Sequence, residues 1–122
     1  MQKIKSDIEK NRLYITITGT LSVEEAEKAK KLIFREIETL KPNFDVINDI
    51  SKFIRGADEA GPVLKEIMAI LIRKNVNRVV RVVGTSKTGL LQFANYSIQA
   101  DSYKLNYVPT LEEAEKLLDQ KE

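Results

Sequence analysis

Residues 44–62 read FDVINDISKFIRGADEAGP, and this stretch decides the fold. Its first seven residues predict a β-strand in which Val46 and Ile47 point to opposite faces. A strand that is apolar on both faces is typical of the centre of a parallel sheet that is covered on both sides. Residues 51–61 then predict a connecting loop, which leads to a helix that begins near Asp58 to Pro62 because proline is tolerated in a first helical turn.

Strand and helix patterns alternate on both sides of this stretch. A hairpin at 3–8 and 13–18 comes first, and Gly19 is predicted to end its second strand. A capping residue followed three positions later by a glutamate predicts the start of a helix. This pair occurs twice, at Ser22 and at Thr110. The remaining elements are a valine-rich strand at 76–83, a helix through 90–98 and a strand at 103–108. The sequence therefore predicts an α/β fold: one domain, 1–122, with a mostly parallel sheet of about five strands, a first antiparallel hairpin and four helices.

The composition excludes several kinds of chemistry. The 122 residues include neither cysteine nor histidine. This excludes disulfides, thiolate catalysis and the usual general base at neutral pH. The start MQKIKSD has no apolar signal core, and no run approaches the ~20 apolar residues of a membrane span. We therefore expect a cytoplasmic protein with no catalytic residues, no cofactor and no metal.

Two loops at the carboxyl ends of strands are the places where function is expected in such a sheet. The second, GTSKTG at 84–89, offers an anion site through Thr85, Ser86, Lys87 and Thr88 at a helix start. It is not a nucleotide-binding P-loop, because Lys87 precedes the second glycine. Helix capping by Thr85 or Ser86 with a solvated lysine explains the same residue types.

The first loop follows the central strand and combines polar residues with an apolar pair. Phe53 and Ile54 would either plug the core or form a patch that binds a partner. The acidic residues around them could hold a metal or act in acid–base catalysis, but simple structural roles account for them better. Asp49, for example, could pair with Arg81 on the neighbouring strand. The acidic residues in question are Asp45, Asp49, Asp58 and Glu59.

With these elements in place, the chain resembles a STAS domain, the module of bacterial anti-sigma-factor antagonists and of the cytoplasmic tails of sulfate transporters. Members have an early hairpin, a strand that ends in Asp-x-Ser and a loop to Asp-Ser-Ser-Gly at the second helix. Here 49–51 reads Asp-Ile-Ser, and 58–61 reads Asp-Glu-Ala-Gly. The family's phosphorylated serine falls at Ala60, so regulation through that residue is not expected.

The resemblance implies a non-catalytic regulatory module that docks on a protein partner, such as an anti-sigma-factor-like kinase or another regulator. The partner-binding residues would be Asp49, Ser51, Phe53, Ile54, Asp58, Glu59, Ala60 and Gly61. The alternative is a small-molecule or lipid-binding domain of STAS or SEC14-like type that uses the loop at 84–93. Nucleic-acid binding is not expected, since no basic strand face is studded with aromatic residues. The sequence leaves open whether the chain forms a homodimer.

Overall fold

The computed structural model describes residues 2–84 and 103–120 of the chain. Strands and helices alternate in these residues as the sequence predicts, and elements are numbered here in chain order. They are β1 (Gln2–Asp7), β2 (Arg12–Leu21), α1 (Val23–Ile37), β3 (Asp45–Gly56), a 3₁₀ turn (Asp58–Ala60), α2 (Gly61–Arg73), β4 (Arg78–Val82), β5 (Lys104–Val108) and α3 (Leu111–Asp119). The helix predicted at 90–98 lies outside the described residues.

The five strands form one sheet in the order β1-β2-β3-β4-β5. β1 is antiparallel to β2, and every later neighbour is parallel. The predicted fold class is therefore confirmed. β3 lies at the centre of the sheet, as its apolar residues on both faces indicate.

Both faces of the sheet are covered in the described part of the chain. Val46 is buried in the larger core, which includes residues of α1 and α2, whereas Ile47 is buried in a smaller core with Ala114 and Leu118 of α3. The prediction that Val46 and Ile47 face opposite sides is confirmed. We call the side covered by α3 the α3 face.

β2 and β3 are longer than predicted. Gly19 does not end β2: it takes a positive φ of 71° at a bulge, and the strand continues to Leu21. The longer β2 gives the end of β3 a partner, because Thr18 lies beside Lys52 and Leu21 beside Gly56. The prediction that residues 51–56 form a loop is therefore wrong. A glycine at a bulge lets a strand bend without losing its partner.

The predicted helix caps are present. The hydroxyl of Ser22 accepts a bond from the backbone N–H of Glu25, and the Glu25 carboxylate accepts one from the backbone N–H of Ser22. The bonds from Ser22 and from the Gln2 side chain keep the pKa of Glu25 below its usual value. At α3, the hydroxyl of Thr110 accepts a bond from the backbone N–H of Glu113. Both helices therefore begin where the sequence places them.

An ionic cluster around the buried Arg12 fixes α3 on the sheet. Arg12, with a side chain only 4% exposed, binds Glu115 through one guanidinium nitrogen and Asp119 through another, the second at 3.1 Å. The hydroxyl of Tyr14 donates to both carboxylate oxygens of Glu115, at 3.0 and 2.9 Å. Burial and Glu115 together keep the pKa of Tyr14 above its ordinary value. Since Glu115 meets Tyr14 and Asp119 meets Arg12, α3 runs antiparallel to β2.

Candidate functional site

The candidate site lies where β3 ends and α2 begins, at the carboxyl ends of the parallel strands. This is the edge of an α/β sheet at which binding sites usually occur. Because β3 continues to Gly56, most of the predicted loop is a paired strand, and the connection to α2 is only Ala57 and the 3₁₀ turn. The side chains at this edge are therefore held by strand pairing.

Asp49 and Ser51 bind each other. The backbone N–H and the hydroxyl of Ser51 both donate to Oδ1 of Asp49, at 3.0 and 2.7 Å. The predicted pairing of Asp49 with Arg81 is wrong: Arg81 lies beside Asn48 in the register, so its side chain is on the other face of the sheet. There Arg81 is 1% exposed and donates to the hydroxyl of Tyr107 at 3.3 Å.

Gly84, the first residue of the second predicted loop, packs against Ser51. A Cβ built on Gly84 would lie 2.9 Å from the Cβ of Ser51, and Gly84 has a positive φ of 55°. Ser51 and Gly84, from the two segments singled out in the sequence, therefore meet at this contact. Thr85, Ser86, Lys87 and Thr88, the predicted anion site, lie outside the described residues.

We expect Gly84→Ala to lower the free energy of unfolding by about 2–3 kcal/mol, because it adds a steric overlap to a left-handed backbone. Gly19→Ala is the matched control, since Gly19 also has a positive φ but has open space around it. The control should cost only the backbone strain, about 1 kcal/mol. Urea denaturation measures both; equal losses would contradict the close packing of Gly84 on Ser51.

Phe53 and Ile54 have opposite environments. Phe53 is 2% exposed and belongs to the larger core, so the prediction that it forms part of an exposed patch is wrong. Its burial follows from the bulged pairing of β3, which turns Phe53 toward α1 and α2. Ile54 is 61% exposed, as the predicted patch requires. The apolar pair is thus one core residue and one surface residue.

The start of α2 places two acids at the surface and two small residues inside. Asp58 and Glu59 are exposed in the 3₁₀ turn, whereas Ala60 and Gly61 are buried. Neither acid caps the helix with its side chain. Ala60 is 0% exposed, so the position that matches the family's phosphorylated serine holds a buried methyl group.

The end of β3 also exposes Lys52 and Arg55, which were not among the predicted site residues. With Ile54, Asp58 and Glu59 they are the exposed residues of segment 52–59, one apolar side chain among charges of both signs. We call these five residues the β3–α2 surface. Strand alternation could not identify Lys52 and Arg55, because the bulges shift the register of this part of β3.

The described residues do not bring the four acids together. Asp45 is at the beginning of β3, where Arg78 lies 3.9 Å away and the Asn77 amide donates to it, at the opposite end of the strand from Asp58. Within residues 2–84 and 103–120, no three side chains of the types that bind metals lie close enough together to hold a metal ion.

The larger core contains a small cavity of about 30 Å³ between the sheet and the helices α1 and α2. It has room for roughly one water molecule. The cavity that the carrier hypothesis predicts, near 84–93, lies outside the described residues apart from Gly84. No helix within the described ranges is long and apolar enough to span a membrane.

Solved structures share this architecture over nearly the whole chain. An uncharacterised protein of the DUF3478 family with a SpoIIAA-like fold, from Shewanella loihica PV-4, aligns with a TM-score of 0.72 at 15% identity, covering 97% of this chain and 92% of its own. The unphosphorylated anti-sigma factor antagonist SpoIIAA aligns with a TM-score of 0.68 at 12% identity, covering 99% and 100%. An anti-sigma factor antagonist from Mycobacterium paratuberculosis aligns at 0.61 and 12% identity, covering 98% and 94%.

These alignments show that the chain has the SpoIIAA-like, or STAS, fold, which confirms the resemblance seen in the sequence. At identities of 12–15%, the likeness establishes the fold alone. No protein-family model and no curated protein sequence matches the chain.

Proposed function

We propose that this chain of SpoIIAA-like fold is a non-catalytic regulatory module that binds a protein partner through the β3–α2 surface. The observation that carries the proposal is the 61% exposure of Ile54, which lies at a bulge of β3 between the paired residues Phe53 and Arg55 and shortly before α2. An exposed apolar residue with a polar rim is the arrangement found at the centre of many protein interfaces. The absence of histidine and cysteine from the sequence supports a role without catalysis.

The structure favours a surface that is already formed before binding. Lys52 and Arg55 are paired with β2, and Phe53 anchors the strand in the core. Ordering a loop on binding would cost conformational entropy, and a paired strand avoids most of that cost. The solved antagonists of similar fold suggest a partner of anti-sigma-factor type.

The surface also suggests how such a module is regulated. With Ala60 buried, phosphorylation at that position has no acceptor and no access. Glu59 adds an exposed negative charge directly before it. Phosphorylation at position 60 would therefore not switch the module, and its occupancy would follow the concentration of its partner.

Native mass spectrometry of protein purified gently from its own cells tests the proposal. The wild type should retain a protein partner, and Ile54→Ser should lose it. Ile8→Ser is the matched control, because Ile8 is 66% exposed and lies at the other end of the sheet, in the β1–β2 turn. Retention of the partner by Ile54→Ser would contradict the proposal, and a bound small molecule in place of a protein would favour the carrier hypothesis.

A further inference from the structure

A second surface is the outer edge of the sheet at β1, which β2 separates from the β3–α2 surface. β1 pairs with β2 on one side, and within residues 2–84 and 103–120 no strand pairs with its other side. Edge strands are commonly protected from pairing by a proline, a bulge or a row of like charges. β1 has no proline, and its register with β2 is regular, so neither of the first two devices protects this edge.

The charges along this edge change sign from one end to the other. Residues 3–9 read KIKSDIE. Lys3, Lys5 and Asp7 share one face of the strand, because alternate residues of a strand do so, and Glu9 is exposed in the turn that follows. In the part of the chain that the structure describes, none of these four side chains forms an ion pair. The segment is self-complementary: read against its own reverse, each lysine meets an acid.

Two copies of β1 placed antiparallel about Ser6 bring these opposite charges together. In this register, Lys5 of each copy lies beside Asp7 of the other, and the two Ser6 residues are neighbours. A register centred on Lys5 would instead place two lysines side by side, and one centred on Ile4 would place Lys3 beside Lys5. Like charges directly opposite each other destabilise a strand pair, so charge selects the register about Ser6.

The residues at the ends of this pairing also match. β1 ends at Asp7, so Ile8 and Glu9 approach Ile4 and Lys3 of the other copy from the turn. Ile8 is 66% exposed, and Ile4 is partly buried against the larger core. The second copy would therefore give the exposed Ile8 an apolar neighbour.

The α1 side of this edge contributes one apolar residue and one repulsion. The side chains of Gln2 and Ser6 donate to Glu25 and Glu36, at 3.3 and 2.9 Å, so both glutamates lie on the β1 side of α1. Leu32, seven residues after Glu25 and four before Glu36, lies on the same side and is 38% exposed. A second copy would cover Leu32 but would also bring the two Glu36 carboxylates toward each other. By symmetry each lysine–acid contact occurs twice, whereas this repulsion occurs once.

We propose that two copies of this chain pair through the outer edges of β1, antiparallel about Ser6, and form a two-fold symmetric dimer. The two five-stranded sheets then join into one, and the backbone groups of both edges gain strand partners. Isologous contacts of this kind are the commonest in homo-oligomers. Because the contacts between side chains are mostly ionic and exposed, salt weakens this dimer.

Charge reversal tests the dimer on the intact chain. Sedimentation equilibrium should show a wild-type dimer that dissociates as salt is raised. Lys3→Glu/Lys5→Glu should weaken dimerisation roughly 30-fold, since each lysine–acid contact becomes a contact of like charges. Reversing the acids as well, in Lys3→Glu/Lys5→Glu/Asp7→Lys/Glu9→Lys, restores every contact with the opposite polarity. This fourfold variant has the net charge of the wild type and should dimerise like it.

The controls separate the dimer from effects of net charge, folding and the β3–α2 surface. Lys65→Glu/Arg73→Glu makes the same change in net charge on the exposed side of α2 and should leave the dimer unchanged. Ile54→Ser should also dimerise like the wild type, whereas Glu36→Gln should strengthen the dimer several-fold. Circular dichroism checks that each variant is folded.

Three outcomes would overturn the proposal. The first is a wild type that stays monomeric at high concentration and low salt. The second is equal weakening by Lys3→Glu/Lys5→Glu and by Lys65→Glu/Arg73→Glu, and this comparison involves exposed side chains alone. The third is a fourfold variant that is folded but monomeric.

Discussion

Phe53→Ala is expected to lower the free energy of unfolding by about 3–5 kcal/mol, the range observed when a buried phenylalanine is truncated. Phe53 is 2% exposed in the larger core. Its removal both exposes apolar neighbours and leaves a cavity that packed helices fill only in part. A loss of this size is a large share of the total stability of a domain.

Ile54→Ala is the matched control for Phe53→Ala, because the two residues are adjacent on β3. Since Ile54 is 61% exposed, its truncation should change the free energy of unfolding by about 0.5 kcal/mol or less. Urea denaturation followed by circular dichroism measures both variants. Equal losses, or a larger loss for Ile54, would mean that β3 is not held in the observed register.

This contrast between neighbours shows which part of the site the sequence could predict. The order of strands and helices along the chain followed from local patterns, because Val46, Ile47 and the valine-rich run indicate buried strands without reference to other elements. The buried environment of Phe53 did not follow from such local patterns. Within the second half of β3, Ile50, Phe53 and Gly56 are buried, a spacing of three that matches neither a regular strand nor a loop. It arises from the bulges in the β2–β3 pairing, and pairing depends on residues more than 30 positions away.

The partner of Arg81 could not be predicted from the sequence either, because it depends on the register of the sheet. From sequence, Arg81 and Asp49 lie on neighbouring strands and have opposite charges, so a pairing is reasonable. A shift of one residue in strand register moves a side chain to the other face. The observed register places Arg81 beside Asn48, and the acid and the base are separated by the sheet.

The second large effect is expected at the cluster that holds α3. Glu115→Ala/Asp119→Ala should lower the free energy of unfolding by about 4 kcal/mol, because it removes both carboxylates that pair with the buried Arg12. The side chain of Arg12 is only 4% exposed with these carboxylates over it, and after their truncation only water is left to solvate the end of the guanidinium. The loss of Glu115 also removes the acceptor of the Tyr14 hydroxyl.

Arg12→Met should cost much less than this double variant, about 1–2 kcal/mol. The asymmetry arises from exposure: the side chains of Glu115 and Asp119 are 33% and 53% exposed, so water can hydrate them when the arginine is gone. A methionine also fills much of the space that the arginine stem occupied. Removing the exposed partners should therefore be the more damaging change, because it leaves the buried charge unpaired.

Glu112→Ala/Lys116→Ala is the matched control for the cluster. It removes an ion pair four residues apart on the same helix, with side chains 79% and 70% exposed, and exposed pairs of this kind contribute about 0.5 kcal/mol or less. Urea denaturation measures the free energy of unfolding of the three variants and so ranks their losses of stability. If Glu115→Ala/Asp119→Ala and the control lost similar stability, the cluster would be solvated in solution, and α3 would be held on the sheet by Ala114 and Leu118 instead.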